Sequence, residues 1–351
     1  MSLRPGIIER WRSDLPVTDA TPLLSLQEGD TPLLPSASLA AWVGVSELYL
    51  KFEGANPTGS FKDRGMVLAV AKAAEAGARA ILCASTGNTA ASAAAYAAAA
   101  GLQAVVLLPE GKVAAGKLAQ AVIYGASVIT VRGNFDDALN VARDAGAAPD
   151  VSLVNSVNPF RIEGQTTSAY EICDALGDAP TVLALPVGNG GNITAYWLGF
   201  RRAVERHGVR SLPRIIGAQA EGAAPFVHGH PIESPETVAS AIRIGNPATW
   251  QPALDAAHDS GGLIGAVSDS EILDAWKTIA RLSGTFCEPA SAASVAMLRK
   301  CVADGAVARD TQCVCVLTGN GLKDADRALS VAMPPIVIEP DAGALARALK
   351  W

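Results

Sequence analysis

The chain has few cysteines, few charged residues and few aromatic residues for its 351 positions. Its six cysteines include neither a CxxC pair nor the Cys/His spacing of a zinc site. We therefore expect buried, reduced thiols and no metal centre. Only 18% of the residues are charged, the formal net charge is -6, and no basic run occurs. A nucleic-acid-binding surface is thereby excluded.

Long hydrophobic runs are also scarce, with one exception. Residues 89–109 carry no charge and could span a bilayer by length alone. The run is mostly alanine, and Gly101 divides it into a helix-like AASAAAYAAAA and a strand-like AVVLLP. It is interpreted as a buried helix and a strand. The N-terminus, MSLRPGIIERWRSDLP, is too charged for a signal peptide, so we expect a cytoplasmic protein without a membrane partner.

Short apolar runs alternate with helical patterns along the chain. ELYLKF precedes a helix over 62–75, RAILCA a helix over 88–100, AVVLLP a helix over 114–121, and SVITV a helix over 136–144. VSLVN, TVLALPV, RIIGAQ and QCVCVLT continue the series. This alternation predicts an α/β protein with mainly parallel sheets that helices cover on both faces. The length indicates about two domains.

A glycine-rich loop, GNGGN at 188–192, follows TVLALPV and leads into a helical segment. Glycines let backbone N–H groups approach an anion, and a helix N-terminus adds partial positive charge. The dinucleotide pattern GxGxxG fails because Ile193 takes the place of the third glycine. A compact phosphate is the favoured ligand, and a plain strand-to-helix turn is the alternative.

Three further strand ends carry polar residues, and ligands of open α/β sheets bind beyond such ends. STGNTAAS could hold a carboxylate or could simply cap a helix. NSVNPFRIEGQ offers amide, hydroxyl and guanidinium groups for a second oxyanion, unless its arginine lies at the surface. Thr318 ends the strand QCVCVL. The candidate anion ligands on the first two loops are Ser85, Thr86, Thr89, Asn155, Ser156 and Arg161.

Lys62 lies in EGANPTGSFKDRG, which resembles a P-loop whose lysine comes two residues late. Ser60 and Asp63 have the spacing of a capping box, which predicts that Lys62 falls in the first turn of a helix. A cation there opposes the helix dipole, so we expect a lowered pKa and a nucleophilic amine. Such a lysine, combined with a phosphate cradle, favours pyridoxal phosphate (PLP) as cofactor.

Taken together, ANPTGSFKDRG, STGNTA, NSVNPFRIEGQ, PVGNGGN, EPASAAS and LTGNGLKD resemble the threonine synthase family of PLP-dependent, fold type II (tryptophan-synthase-β-like) enzymes. The match runs in order over roughly residues 20 to 325. Thr58, Gly59 and Asp63 favour this family over related dehydratases and cysteine synthases. The resemblance implies a lyase that converts O-phospho-L-homoserine and water to L-threonine and phosphate, the last step of threonine biosynthesis.

The resemblance also implies residue roles. Lys62 would bind PLP as a Schiff base and move protons at Cα and Cβ. Asn88 would contact the phenolic oxygen and Thr318 the ring nitrogen, where a hydroxyl makes the ring a mild electron sink. The PLP phosphate would bind Gly188, Asn189, Gly190, Gly191 and Asn192. The substrate carboxylate would bind Ser85, Thr86 and Thr89, and its phosphate Asn155, Ser156 and Arg161.

The family's architecture implies a large domain from residues 1–40 and 155–351 and a small inserted domain over 41–154, with the active site between them. A homodimer is implied as well. Two alternatives stay open: a threonine or serine dehydratase of the same fold, and a noncatalytic phosphate-binding protein. Glu288 could approach the cofactor ring or could only end a strand.

Overall fold

Two mainly parallel β-sheets form the framework of the protein. The computed structural model describes residues 4–111, 115–133, 135–330, 335–340 and 342–349. The six-stranded sheet has the order β1-β2-β10-β7-β8-β9 and the four-stranded sheet β5-β4-β3-β6. Neighbouring strands are parallel except β1 and β2. The strands are β1 Leu33–Pro35, β2 Glu47–Phe52, β3 Ala80–Ala84, β4 Gln103–Pro109, β5 Ser127–Val131, β6 Val151–Leu153, β7 Val182–Pro186, β8 Arg214–Ala220, β9 Leu263–Val267 and β10 Gln312–Leu317.

Helices connect these strands, as parallel pairing requires. Those that follow β2, β3 and β7 are central to the site. The α-helices are α1 Ile7–Arg10, α2 Ala37–Val43, α3 Lys62–Glu75, α4 Asn88–Ala100, α5 Ala115–Ile123, α6 Phe135–Ala145, α7 Pro159–Gln165, α8 Thr167–Leu176, α9 Gly191–Arg206, α10 Pro225–His228, α11 Trp250–Asp259, α12 Asp269–Ser283, α13 Pro289–Ala303, α14 Ala325–Ser330 and α15 Ala342–Leu349. Short 3-10 helices span Glu53–Ala55, Ser240–Ile242 and Gly321–Asp324.

The predicted α/β alternation is confirmed. The helices expected over 62–75 and 88–100 have those bounds, and the uncharged run is α4 followed by β4. Residue 114, the expected start of the next helix, lies outside the described residues. Strands β1 and β9 were not predicted. Across the described ranges, no helix is long and apolar enough to cross a membrane.

The predicted division into two domains stays a prediction, but one strand differs from it. The boundary at residue 41 assigned β2 to the smaller unit, whereas β2 is hydrogen-bonded to β10 over its whole length in the six-stranded sheet. The reason is its apolar face: Leu48 and Leu50 are buried in the core of that sheet.

Both faces of the six-stranded sheet are buried along its strands β7, β8 and β10, as the apolar runs predict. Alternate residues of β7 enter different cores: Leu183 and Leu185 join a cluster that also includes β3 and β4, and Val182 and Ala184 join a cluster beneath α12 and α13. The first cluster contains side chains of both sheets. Because β2, β10 and β7 are neighbouring parallel strands, their carboxyl ends lie side by side.

A buried ionic cluster fixes the start of α3. The Arg64 guanidinium donates to both carboxylate oxygens of Glu53 (2.7 and 2.8 Å) and of Glu171 (2.6 and 2.6 Å). Lys51 also donates to Glu171, at 2.7 Å. Burial alone would raise the pKa of Glu171, but the charges of Arg64 and Lys51 outweigh it and hold that pKa below its ordinary value. The cluster joins β2, α3 and α8.

Removal of one member should leave its partners charged and buried. We expect Glu53→Ala to lower the free energy of unfolding by about 3–5 kcal/mol. Arg10→Ala is the control, because Arg10 pairs with Asp30 and Asp174 in partly exposed bridges worth at most about 1 kcal/mol. Urea unfolding followed by circular dichroism measures both; equal losses in the two variants would contradict this account.

Candidate active site

Lys62 is the first residue of α3, directly after the turn that follows β2. That turn is tied to the end of β10: Ser60 forms a bridge with Gly319, and the Phe61 N–H donates to the Thr318 carbonyl at 3.0 Å. The Lys62 amine lies 4.0 Å from the centre of the Phe61 ring. The lysine therefore lies where two neighbouring strands end.

The pKa of Lys62 is lowered to about 7. Burial is the largest cause, the positive charge of Arg161 adds to it, and the charge of Glu288 acts in the opposite direction. The expected direction is thus confirmed, but the cause is desolvation and a neighbouring cation. An amine with this pKa is largely uncharged just above neutral pH and can act as a nucleophile.

The predicted capping box is wrong. Phe61, not Ser60, precedes the helix, and no side chain caps it. The Asp63 carboxylate instead accepts the Thr58 N–H (2.7 Å) and hydroxyl (2.6 Å) and the Ser92 hydroxyl (2.6 Å). Asp63 is fully buried, and burial raises its pKa to about 6. It therefore fixes the loop before Lys62 to α4.

The glycine loop after β7 has the form of an anion cradle. Gly190 adopts φ of 85°, and a Cβ there would lie 2.5 Å from the Thr249 carbonyl oxygen. The Asn189 backbone carbonyl accepts the Thr249 N–H at 3.0 Å. The first N–H groups of a helix have no intrahelical acceptor. Helix α9 begins here without a side-chain cap, so no capping side chain accepts from them. The buried Nδ2 of Asn192 also has no partner.

Asn88 and Thr318 meet through Glu288. The Asn88 amide donates to Glu288 Oε2 at 3.1 Å, and the Thr318 hydroxyl donates to Oε1 at 3.3 Å. The Ser291 hydroxyl is 3.1 Å from that of Thr318 and accepts the Gly319 N–H at 3.0 Å. One residue from α4 and one from β10 thus converge on a single carboxyl group.

Ser85, Thr86 and Thr89 lie at the start of α4 and are partly exposed. Helix α4 is preceded by Gly87 and has no side-chain cap, so the alternative of ordinary capping is wrong for this loop. The Ser85 hydroxyl accepts the Gly87 N–H at 3.2 Å. Three hydroxyl groups and an uncapped helix terminus can hold a carboxylate.

Arg161 is buried and is not a surface residue. It is 2% exposed, one Nη donates to the Val154 carbonyl at 3.2 Å, and its buried Nε has no partner. Burial lowers its pKa to about 10. Within the described chain, no carboxylate forms an ion pair with it. A buried guanidinium without an anionic partner lowers the stability of the fold, and binding of an anion would offset that desolvation penalty.

Asn155 binds the neighbouring loop. Its amide accepts the Ala84 N–H at 2.9 Å and donates to the Ala84 carbonyl at 3.0 Å. It therefore fixes the end of β3 relative to the segment that carries Ser156 and Arg161. Ser156 is partly exposed beside it.

Several residues at the site were not predicted from the sequence. Thr249 gave no signal, because it acts only through contact with a distant segment. Ser291 lies in the EPASAAS motif, so that motif could have pointed to it. Lys323 hydrogen-bonds Gln120 of α5; it lies in the LTGNGLKD motif, so the motif could have pointed to it. Nowhere in the described residues do three His, Cys, Asp or Glu side chains cluster as metal ligands would.

Comparison with known proteins gives a consistent result. The model of a family described as pyridoxal-phosphate dependent enzyme matches residues 24–319. A threonine synthase of Halalkalibacterium halodurans is 56% identical over 97% of this chain and 96% of its own. One of Bacillus sp. (strain ULM1) is 58% identical over 93% and 92%.

Among solved structures, maize serine racemase is similar, with a TM-score of 0.73, 23% identity, and 86% of this chain and 91% of its own covered. At that identity the likeness shows the fold alone. The family match and the two close relatives show more: this chain belongs to the pyridoxal-phosphate dependent enzymes and, within them, to the threonine synthase family.

Proposed function

We propose that the protein converts O-phospho-L-homoserine and water to L-threonine and phosphate with PLP as cofactor. The observation that carries this proposal is a lysine of lowered pKa at the strand ends, together with two groups that suit anions. One is the cradle at 188–192, and the other is the unpaired guanidinium of Arg161, whose charge lowers the pKa of Lys62. The first suits the phosphate of the cofactor and the second suits that of the substrate.

The residues present fit PLP. The uncapped start of α9 and the unpartnered Asn192 amide offer N–H groups to its phosphate. We assign Gly188, Asn189, Gly190, Gly191 and Asn192 to that phosphate. Asn88 is assigned to the phenolic oxygen, Thr318 to the ring nitrogen and Lys62 to covalent attachment.

Bound PLP supplies an electron sink for the carbanions that form when protons leave Cα and Cβ. The chain's own part is to place a base and to hold charge. Lys62, with a pKa of about 7, can take a proton near neutral pH and return it. Thr318 would offer the ring nitrogen a hydroxyl, which would favour elimination and replacement over transamination.

The substrate is held at both ends. Ser85, Thr86 and Thr89 bind its carboxylate at the start of α4. Ser156 and Arg161 bind its phosphate, and Asn155 positions them through its bonds to Ala84. The Cγ–O bond to phosphate breaks and the phosphate leaves with that electron pair. The two protons taken from Cα and Cβ return to Cγ and Cα, and water gives its OH to Cβ and its remaining proton to the phosphate. Arg161 stabilises the charge on the departing phosphate.

We also propose a cytoplasmic homodimer with a large and a small domain. The six thiols are free, which suits a reducing compartment. Large apolar side chains lie exposed, among them Ile123 (81%) and Val337 (93%), and such groups favour association. The two sheets support the division, with β2 counted in the larger domain.

Replacement of Lys62 tests its assigned role. Lys62→Ala should abolish both covalent attachment of PLP and formation of threonine, because no other amine would occupy that place. Lys72→Ala, a change on the same helix at a lysine paired with Glu75, is the control. Mass spectrometry after borohydride reduction and a threonine assay measure the two effects. Threonine formed by Lys62→Ala at the control's rate would refute the assignment.

Replacement of Arg161 distinguishes a synthase from a dehydratase. Arg161→Met should lower kcat/KM for O-phospho-L-homoserine by about 10- to 100-fold, because charged hydrogen bonds to phosphate are lost. Arg202→Met is the matched control, since Arg202 pairs with Glu163. Equal activity of both variants, or release of 2-oxobutanoate from threonine with phosphohomoserine left intact, would favour a dehydratase.

The lowered pKa of Lys62 predicts a pH dependence. Attachment requires the uncharged amine, so the rate at which the PLP-free protein binds PLP should rise with pH through about 7. Arg161→Met removes a charge that lowers this pKa, so its midpoint should move to higher pH. Stopped-flow absorbance follows attachment; a midpoint that is unchanged or lower in Arg161→Met would contradict the electrostatic explanation.

A further inference from the structure

Glu288 has no role in the reaction described above, yet it contacts two residues of the candidate active site. It precedes α13, is 5% exposed, and its two oxygens accept from Asn88 and from Thr318. Those two residues are the ones assigned to the phenolic oxygen and to the ring nitrogen of the cofactor. Asn88 begins α4, which follows β3 of the four-stranded sheet. Thr318 directly follows β10 of the six-stranded sheet.

The space around this carboxyl group is tightly constrained. A Cβ at position 319 would collide with the Glu288 carboxylate. The glycine at that position therefore leaves the space that the carboxylate occupies. The Glu288 N–H donates to the Gly319 carbonyl at 2.9 Å, which fixes the backbone. No ion pair within 4.0 Å involves Glu288 among the described residues. Neutral donors, not a salt bridge, thus hold the carboxyl group in place.

The hydrogen count at Asn88 shows what this contact does. An amide nitrogen has two hydrogens. One is donated to Glu288, which leaves the second free for the phenolic oxygen of the cofactor. The carboxyl group accordingly selects the orientation in which Asn88 presents a donor.

Thr318 has only one hydrogen, so its bonds are exclusive. When Glu288 is ionised, the hydrogen goes to the carboxylate and Thr318 offers the ring nitrogen a lone pair. When Glu288 is neutral, the hydrogen is free and Thr318 can donate to the ring nitrogen. Ser291, 3.1 Å away, can serve as donor or acceptor in either case.

Other groups around Glu288 influence its charge. Lys62 from α3 and Lys323 from the 3-10 helix Gly321–Asp324 face it with positive charge, and the buried thiol of Cys287 adjoins it. Burial raises the pKa of Glu288, while its hydrogen bonds and the two lysines act against this. In the described residues, α4 and β10 contribute the neutral groups Asn88 and Thr318.

We propose that Glu288 is a positioning residue that orients Asn88 and, through its own charge, decides whether Thr318 offers the cofactor's ring nitrogen a hydrogen or a lone pair. This rests on the function proposed above, in which Asn88 and Thr318 contact the ring. The charge of Glu288 would thereby set how strongly the cofactor ring withdraws electrons, which the Thr318 hydroxyl alone would not do.

The test uses the holoenzyme loaded with PLP that carries ¹⁵N in its ring. The nitrogen chemical shift reports the hydrogen bond at that atom and is recorded across the pH range in which the protein stays folded. We expect a titration in the wild type, which Glu288→Gln abolishes because its amide cannot ionise. Ser294→Ala is the matched control: Ser294 is on the same helix, donates to the Ser291 and Val316 carbonyls, and should preserve the titration.

PLP affinity gives a second measurement. Glu288→Ala should bind PLP about tenfold more weakly, since Asn88 and Thr318 lose a charged partner. Glu288→Gln should stay close to the wild type, because its amide can still bond to both residues. Urea unfolding of the PLP-free variants shows that any loss is not one of folding.

The outcomes separate the two proposals. A wild-type shift that does not vary with pH, a titration in Glu288→Gln equal to the wild type, or undiminished affinity in Glu288→Ala would each overturn the role of Glu288 alone. Failure of the wild-type protein to bind PLP covalently would overturn the proposed function, and this role with it.

Discussion

The buried ion cluster around Arg64 is the constraint on which the site depends. Arg64 lies two residues after Lys62, in the same first turn of α3, and its guanidinium is fully occupied by Glu53 and Glu171. Because those carboxylates belong to the 3-10 helix that follows β2 and to α8, the turn cannot rotate without breaking several charged hydrogen bonds at once. The reactive lysine is thus fixed by a neighbour that has no chemical role itself.

The ionic cluster around Arg64 and the site around Lys62 differ in how their buried charges are paired. In the cluster every charge has a partner, and the pKa of Glu171 is held below its ordinary value. At the site the charges are left incomplete: Arg161 has an Nε without a partner and, among the described residues, no carboxylate in an ion pair with it, and Lys62 is desolvated. A buried charge without a partner lowers the stability of the fold. It also raises the affinity for a phosphate, because the bound phosphate offsets the desolvation penalty of that charge.

Much of the architecture could be predicted from the sequence, for physical reasons. Fully buried parallel strands are short apolar runs, and helices with alanine-rich or periodic patterns separate them, so eight strands and the helices over 62–75 and 88–100 were recognisable. Strand β9 was missed because LIGAV carries a central glycine; four of its five residues are only partly buried. The boundary at residue 41 stays a prediction; the pairing of β2 with β10 differs from it because local pattern does not show which sheet a strand joins.

The sequence by itself determined the chemistry that is available: a lysine after a glycine turn, a glycine loop before a helix, and hydroxyl, amide and guanidinium groups at strand ends. Residue type and short spacing suffice for that. Only the tertiary structure decided the cause of the lowered pKa at Lys62, the burial of Arg161, the true partners of Asp63 and the bridge from Glu288 to Asn88 and Thr318. These depend on desolvation and on contacts between residues up to 200 positions apart, which no local pattern encodes.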